Sequence, residues 1–218
     1  MDGGGIAVRF ELRRETQADY RAVEELTREA FWNLHTPGCT EHYLVNLLRA
    51  HPDFLPELDW IATRGAEIVG SVFYSRSRIG EVETITFGPL SVHPAYQKRG
   101  VGTLLVRHTL QLAREMGHRA VVIYGNPAYY SRFGFLPGQE FDIRTEDGMY
   151  AAALQVLELY PGALSGVSGR FVESEVFTVD ERAAEAFDKG FSRKEKKITP
   201  TQLEFQKIAG MRTKPPKD

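Results

Sequence analysis

Cysteine is almost missing from this chain of 218 residues: Cys39 is the only one. A single thiol excludes an internal disulfide and every zinc site built on paired cysteines. It fits a reducing compartment better than an oxidising one. Long apolar runs are missing too. No stretch approaches the roughly 18 residues of a membrane span, and the Met1-Asp2-Gly3-Gly4-Gly5 start has neither the basic nor the apolar part of a secretory leader. A cytoplasmic protein with no membrane partner is the expectation. Neither sign of charge dominates, with 27 Lys and Arg against 29 Asp and Glu, so no global basic field points to nucleic acid. The motifs HExxH, GxSxG and GxxxxGK[ST] do not occur, and His35, His42, His51, His93, His108 and His118 are dispersed. A bound metal is therefore not expected, and Cys39, in a Pro-Gly turn with no activating base beside it in sequence, reads as inert.

The composition is that of an ordinary globular domain, 42% apolar and 26% charged. Alternation over Val8 to Arg13 predicts a strand, and Thr16 an N-cap before a helix carrying Val23, Leu26, Ala30 and Phe31 on one face. Pro37-Gly38 breaks the chain, and Thr40 opens a second helix with Leu44, Leu47 and Leu48. Asp59 to Thr63, Ile68 to Ser77 and Glu83 to His93 read as strands joined by tight turns. Gly100 to Met116 is the strongest helix, stopped by Gly117. Ala120 to Tyr124 reads as a strand buried on both faces. A helix starts at Pro127, strands follow at Ala151 to Leu159 and Phe171 to Phe177, and a short helix covers Thr201 to Ile208. Tight early turns and a later helical crossover predict a mixed α/β sheet, antiparallel at the start and parallel across the Gly100 helix. The domain is read as residues 1–188 with a basic tail over 189–218, where nine Lys and Arg face three Asp and Glu. That tail is either a solvated end that frays at its Pro/Lys terminus, or a segment that docks on an acidic partner, on nucleic acid or on the acidic body of another copy.

Chemistry concentrates between Phe87 and Thr103. A strand ends, a loop brings Lys98, Arg99 and two glycines, and a long helix begins. The first turn of a helix has unpaired N–H groups and a partial positive charge, and glycine lets a bulky anion approach them. The corner suits a phosphate or diphosphate, each charge-assisted hydrogen bond contributing about 1.5–3 kcal/mol. A corner that merely turns the chain is the plainer alternative. Gly88-Pro89 inside the preceding strand points to a bulge that would leave backbone groups of Leu90 and Val92 open to an extended, amide-bearing ligand. A diphosphate joined to an amide-bearing arm describes coenzyme A.

At Gln97-Lys98-Arg99-Gly100-Val101-Gly102 the sequence resembles the acyl-CoA motif Q/R-x-x-G-x-G/A of the GNAT superfamily of N-acetyltransferases. Leu90-Ser91-Val92-His93-Pro94 resembles that family's L-x-V-x-P strand, and Tyr130-Ser131-Arg132-Phe133-Gly134-Phe135 its Y-x-x-x-G-F segment. From about Val8 to Phe177 the chain is similar to a bacterial subgroup of predicted acetyltransferases. The last 30 residues lie outside the resemblance.

The resemblance implies the GNAT fold: a central mixed, mostly antiparallel sheet, splayed at the acyl-CoA site and flanked by helices. It implies acetyl-CoA as co-substrate and acetyl transfer to an amine by direct attack in a ternary complex. The backbone of Leu90-Ser91-Val92 would meet the pantetheine arm, with the Leu90 N–H on the thioester carbonyl oxygen. Gln97, Lys98, Arg99, Gly100, Val101, Gly102 and Thr103 would hold the diphosphate. Asn126 and Tyr129 would lie beside the arm, although Asn126 also fits a plain N-cap. Tyr130 matches the tyrosine that protonates the departing thiolate. A phenol of pKa about 10 suits a thiolate of about 8.5 only moderately.

The acceptor amine must shed a proton, which for a lysine-like amine costs roughly 4–5 kcal/mol at pH 7. Glu83, on the strand leading to the bulge, is the first carboxylate to consider and Glu41 the second; the resemblance fixes neither. The acceptor side is expected from the first two helices and residues 136–150, with Phe31, Trp32, Tyr43 and Phe141 as an aromatic wall. A small-molecule or peptide amine is the expected partner, and a homodimer is left open. A non-catalytic acyl-CoA sensor is the alternative, and the presence of Tyr130 favours the enzyme.

Overall fold

The computed structural model describes residues 9–216; Val8 and the glycine-rich start lie outside the described residues. Strands β1 (Glu11–Arg14), β2 (Trp60–Arg64), β3 (Glu67–Ile79) and β4 (Val82–Val92) form an antiparallel run. Helices α1 (Tyr20–Phe31) and α2 (Glu41–Leu48) fall between β1 and β2. After β4 the chain crosses through α3 (Val101–Glu115) to β5 (Ala120–Tyr124), which lies parallel to β4. A short α4 (Pro127–Tyr130), β6 (Leu136–Pro137), β7 (Ile143–Arg144) and β8 (Tyr150–Ala151) lead to β9 (Leu154–Glu158), antiparallel to β5. The chain then runs through β10 (Gly169–Glu173), α5 (Glu181–Asp188), α6 (Pro200–Ala209) and β11 (Arg212–Thr213). The expected mixed, mostly antiparallel sheet flanked by helices is observed.

Period-two burial on the strands serves both layers. Val72, Tyr74, Ile85, Val121 and Ile123 meet Val101, Leu105, Val106, Leu110 and Ala113 of α3 in one cluster. Phe73 and Ile61 meet Val23 of α1 and Leu44, Val45 and Leu48 of α2 in another. Gly70 sets the approach of α3, since a Cβ there would stand 2.7 Å from Val101 Cγ1.

Two irregularities prepare the site. The β3–β4 register shifts between Val72 and Tyr74, opposite the Gly88-Pro89 step, as the bulge reading anticipates. Strand β4 pairs with β5 only at Ile85 and Val121, after which the two diverge. Beyond that point β4 offers a free edge.

The sequence reading misses α5, although it begins at a good cap: Asp180 Oδ1 accepts from Ala183 N at 2.9 Å. Buried Arg28 of α1 donates to both oxygens of Asp188 at 2.6 and 3.1 Å and fastens this helix down. The basic tail packs along its own chain. Asn33, in a left-handed conformation (φ 59°), accepts from Lys197 N through its side chain and donates to Glu195 O. Trp32 Nε1 also donates to Glu195 O. Lys194 pairs with Glu29 and Lys196 with Glu185, so the tail's charge meets the acidic body of its own chain. The strap ends with β11 paired to β8.

Candidate active site

The loop before α3 is shaped by two left-handed residues, Lys98 (φ 59°) and Gly100 (φ 90°). No side chain caps α3, so the amides of Val101, Gly102 and Thr103 face outward unpaired, as the first turn of any helix leaves them. Gly102 keeps this end open: a Cβ there would lie 2.8 Å from the Tyr129 hydroxyl. Lys98 and Arg99 are exposed, and Gln97 Nε2 donates to Val92 O at 3.2 Å. Arg107, Arg114 and Arg132 line a cleft of about 470 Å³ along the outer side of α3.

Leu90 and Val92 are half-buried on the free stretch of β4. Ser91 points the other way. Its hydroxyl is buried and donates to Thr27 Oγ1 of α1 at 3.0 Å, which leaves only its backbone for a ligand. Tyr130 sits where β4 and β5 part. Its ring packs 5.7 Å from both Phe87 and Phe135 and against the bare Cα of Gly125, where a Cβ would fall 2.3 Å from Tyr130 Cε2. Burial raises its phenol above the ordinary value, so the hydroxyl keeps its proton. Asn126 takes the capping role, accepting from Ala128 N at 2.9 Å, and its exposed side chain lies beside the same opening.

The structure does not bring Glu83 to this group. It is exposed at the start of β4 opposite Arg78, seven residues and about 20 Å of strand from Leu90. An eleven-residue strand is simply longer than the site. Glu41 is occupied, accepting from Thr40 N at 3.0 Å and lying 3.3 Å from His35 Nδ1. The expected aromatic wall is also elsewhere. Trp32 packs under Arg28 and Tyr43 against Phe187, while Phe141 joins the cluster around Ile143 and Phe171.

Instead, a cleft of about 320 Å³ opens beside Gly88, lined by Tyr124, Glu146, Phe171, Glu173, Glu175 and Phe177 among others. Phe177 Cε1 would lie 3.6 Å from a Cβ on Gly88, which ties the cleft to the bulge. Glu173 is half-buried, and burial pushes its carboxyl up to about 7. The only sequence signal for it was alternation, which puts Glu173 on the face of buried Phe171; its register with Ser77 of β3 was not legible. Cys39 does have a base beside it, contrary to the sequence reading. His42 Nδ1 lies 3.4 Å from Sγ, and His42 Nε2 lies 3.0 Å from Asp188 Oδ1. Burial and the carboxylates of Glu41 and Asp188 push the thiol up to about 12, so this trio fastens α2 to α5 rather than arming a nucleophile.

An open helix N-terminus beside a splayed parallel pair defines an acyl-CoA-type site, and comparison with known proteins agrees. Residues 23–135 match the model of the acetyltransferase (GNAT) family. The chain is 33% identical over 161 residues to the uncharacterized N-acetyltransferase YhbS of Escherichia coli K12, covering 72% of this chain and 92% of that protein. The crystal structure of Escherichia coli YhbS in complex with CoA superposes with a TM-score of 0.73 at 29% identity, covering 82% of this chain and 97% of that one. A GNAT family acetyltransferase from Brucella melitensis in complex with acetyl-CoA gives 0.63 at 27% identity, over 78% and 99%. The chain belongs to the GNAT acetyltransferase family.

Proposed function

We propose that this chain is an acetyl-CoA-dependent N-acetyltransferase that acetylates a primary amine by direct attack, with both substrates bound together. The observation that carries the reading is the uncapped start of α3, held open by Gly102, next to the free edge of β4 and the Tyr130 hydroxyl, which has no partner among the described residues. When bound, acetyl-CoA supplies an activated acetyl group as a thioester.

The amides of Val101, Gly102 and Thr103 hold the diphosphate, with the backbone of Gln97, Lys98, Arg99 and Gly100 shaping the turn. Arg107, Arg114 and Arg132 add positive potential where the nucleotide end lies. The backbones of Leu90 and Val92 align the pantetheine amides, and Asn126 and Tyr129 flank them. The Leu90 N–H meets the carbonyl oxygen, where one well-placed donor contributes about 3 kcal/mol as charge develops. Tyr130 keeps its proton against the bulk of Phe87 and Phe135 and gives it to the departing sulfur.

The test is free-thiol release from acetyl-CoA across a panel of primary amines, alongside calorimetry with CoA. Binding at micromolar to millimolar concentration with amine-dependent thiol release is expected. Binding without turnover on any amine would convert the reading into a sensor, and no heat with CoA at millimolar concentration would end it.

A further inference from the structure

The family match stops at residue 135 and leaves the C-terminal strap without an assigned purpose. Its course across the molecule gives it one. Helix α1 runs outward over the sheet. Val23 packs with Ile61 of β2 and Phe73 of β3, and Thr27, one turn on, accepts from the Ser91 hydroxyl of β4 at 3.0 Å. The next turn, at Phe31, and the loop after it therefore continue past β4, toward the side on which β5 has diverged.

The strap is fastened to that loop. Thr201 Oγ1 donates to Leu34 O at 2.9 Å, Gln202 Nε2 donates to Asn33 O at 3.1 Å, and the Phe205 ring stacks on His35 with centroids 4.3 Å apart. At the far end of α6, Met211 O accepts from Ala152 N at 2.9 Å, and the neighbouring Ala153 O accepts from Gly125 N at 2.8 Å. Gly125 follows β5 and carries the Tyr130 ring against its Cα.

These contacts close a ring. Strand β4 from Ile85 to Ser91 is one side, the end of α1 the second and α6 the third. Ala152 and Ala153 lead through Gly125 into β5, which returns to β4 at the Val121–Ile85 pair. The free edge of β4 at Leu90 and the Tyr130 ring both lie on its rim. Helix α3 packs on one face of the sheet and α1 on the other, so the proposed donor comes from the α3 side and the ring frames the gap from the α1 side. Helix α6 has the character of a span. Every residue of it except Gln202 and Ile208 is exposed, so it buries no face in the core. Its ten residues reach about 15 Å, half the roughly 30 Å diameter of a small folded domain. With side chains a helix is also about 10–12 Å thick, whereas five single bonds of about 1.5 Å carry a lysine nitrogen only about 6 Å from its backbone. A lysine on a folded surface that abuts α6 cannot bring its nitrogen past the helix.

We propose that the strap sets the acceptor class: it closes the α1-side entrance into a ring that admits small free primary amines and excludes amines borne on folded proteins. The proposal rests on the acetyltransferase reading above. Gln202 and Phe205 are positioning residues that hold one end of the span, and Arg212, bound to Asp147 and to Thr145 Oγ1, holds the other.

The experiment compares the wild-type chain, a Gln202→Ala/Phe205→Ala double variant and Arg212→Ala. Each is assayed for acetyl transfer to free n-butylamine, phenethylamine and 1,4-diaminobutane and to folded ubiquitin, with CoA affinity measured by calorimetry. Wild type should favour its best free amine over ubiquitin by at least tenfold in kcat/KM. Both variants should raise the ratio of ubiquitin to that amine at least tenfold, while the free-amine kcat/KM and the Kd for CoA change less than threefold. Wild type that acetylates ubiquitin within tenfold of its best free amine overturns the proposal alone, as does a ratio unchanged in both variants. Failure of the wild type to bind CoA, or binding without turnover on any acceptor, overturns the catalytic reading and this proposal together.

Discussion

Glu173 makes a prediction that needs no substrate. Its carboxyl titrates at about 7 in the folded chain against 4.5 for an unperturbed glutamate. The folded state therefore binds more protons than the unfolded state between those values, and stability must fall as pH rises through that window. The full shift corresponds to about 3 kcal/mol at pH 8, or about 2 kcal/mol once the water reaching its open side is allowed for. Glutamine has the same shape and cannot titrate. Glu173→Gln should thus gain about 2 kcal/mol on wild type between pH 4.5 and pH 8, whatever fixed cost the substitution carries at both. Urea unfolding reads this directly: with a slope of about 2–3 kcal/mol/M, the gap between the two midpoints moves by about 1 M. Midpoint gaps that are identical at the two pH values would show that Glu173 is solvated and would remove the physical basis for its perturbed titration.

Tyr130→Phe should lower kcat by about tenfold to a hundredfold while the calorimetric Kd for CoA changes less than threefold; a collapse of CoA binding would show that the hydroxyl serves affinity. Gly102→Ala should weaken CoA binding by at least tenfold, because the added methyl enters space bounded by the Tyr129 hydroxyl and the α3 amides, and an unchanged Kd would mean the diphosphate lies elsewhere. Asn33→Ala should cost about 2–4 kcal/mol in thermal or chemical unfolding, through a left-handed backbone without asparagine and lost bonds to Gly38, Glu195 and Lys197; a loss under 0.5 kcal/mol would show that the strap is not latched there.

The proposed cofactor side of this protein is local in sequence, which is why a candidate for it is legible there. Gln97 to Thr103, Leu90 to Val92 and Tyr130 lie on one strand, one helix start and one short turn, and each carries a backbone signature: a proline in a strand, paired glycines, a tyrosine before Gly134. The cleft beside Gly88 is assembled from distant segments. Glu173 reaches the cleft only because β10 pairs with the half of β3 that lies beyond the Trp60–Val72 pair at which β2 begins. Nothing in the spacing of residues 171–177 announces that partner. Glu83 attracted attention for lying upstream of the bulge, but contour length carries it away from the site. The tail misled through its charge. Nine cations read as an exposed end, whereas Asn33 and Trp32 bind its backbone and acids of α1 and α5 pair with Lys194 and Lys196. Helix α5 escaped notice because a short amphipathic stretch is stabilised here by a buried ion pair from residue 28, which periodicity does not report.

Strand β11, only two residues long, pairs with β8 and brings Arg212 to Asp147 and Thr145 of the β7–β8 loop, the loop that carries Glu146 to the cleft beside Gly88. During synthesis the corner at Gly102 emerges well before residue 213, so the β7–β8 loop is fastened later than that corner. A molecule clipped before Arg212 would keep the Gly102 corner and lose that fastening, so trimming this edge loosens one wall of the Gly88 cleft while leaving the proposed donor side intact.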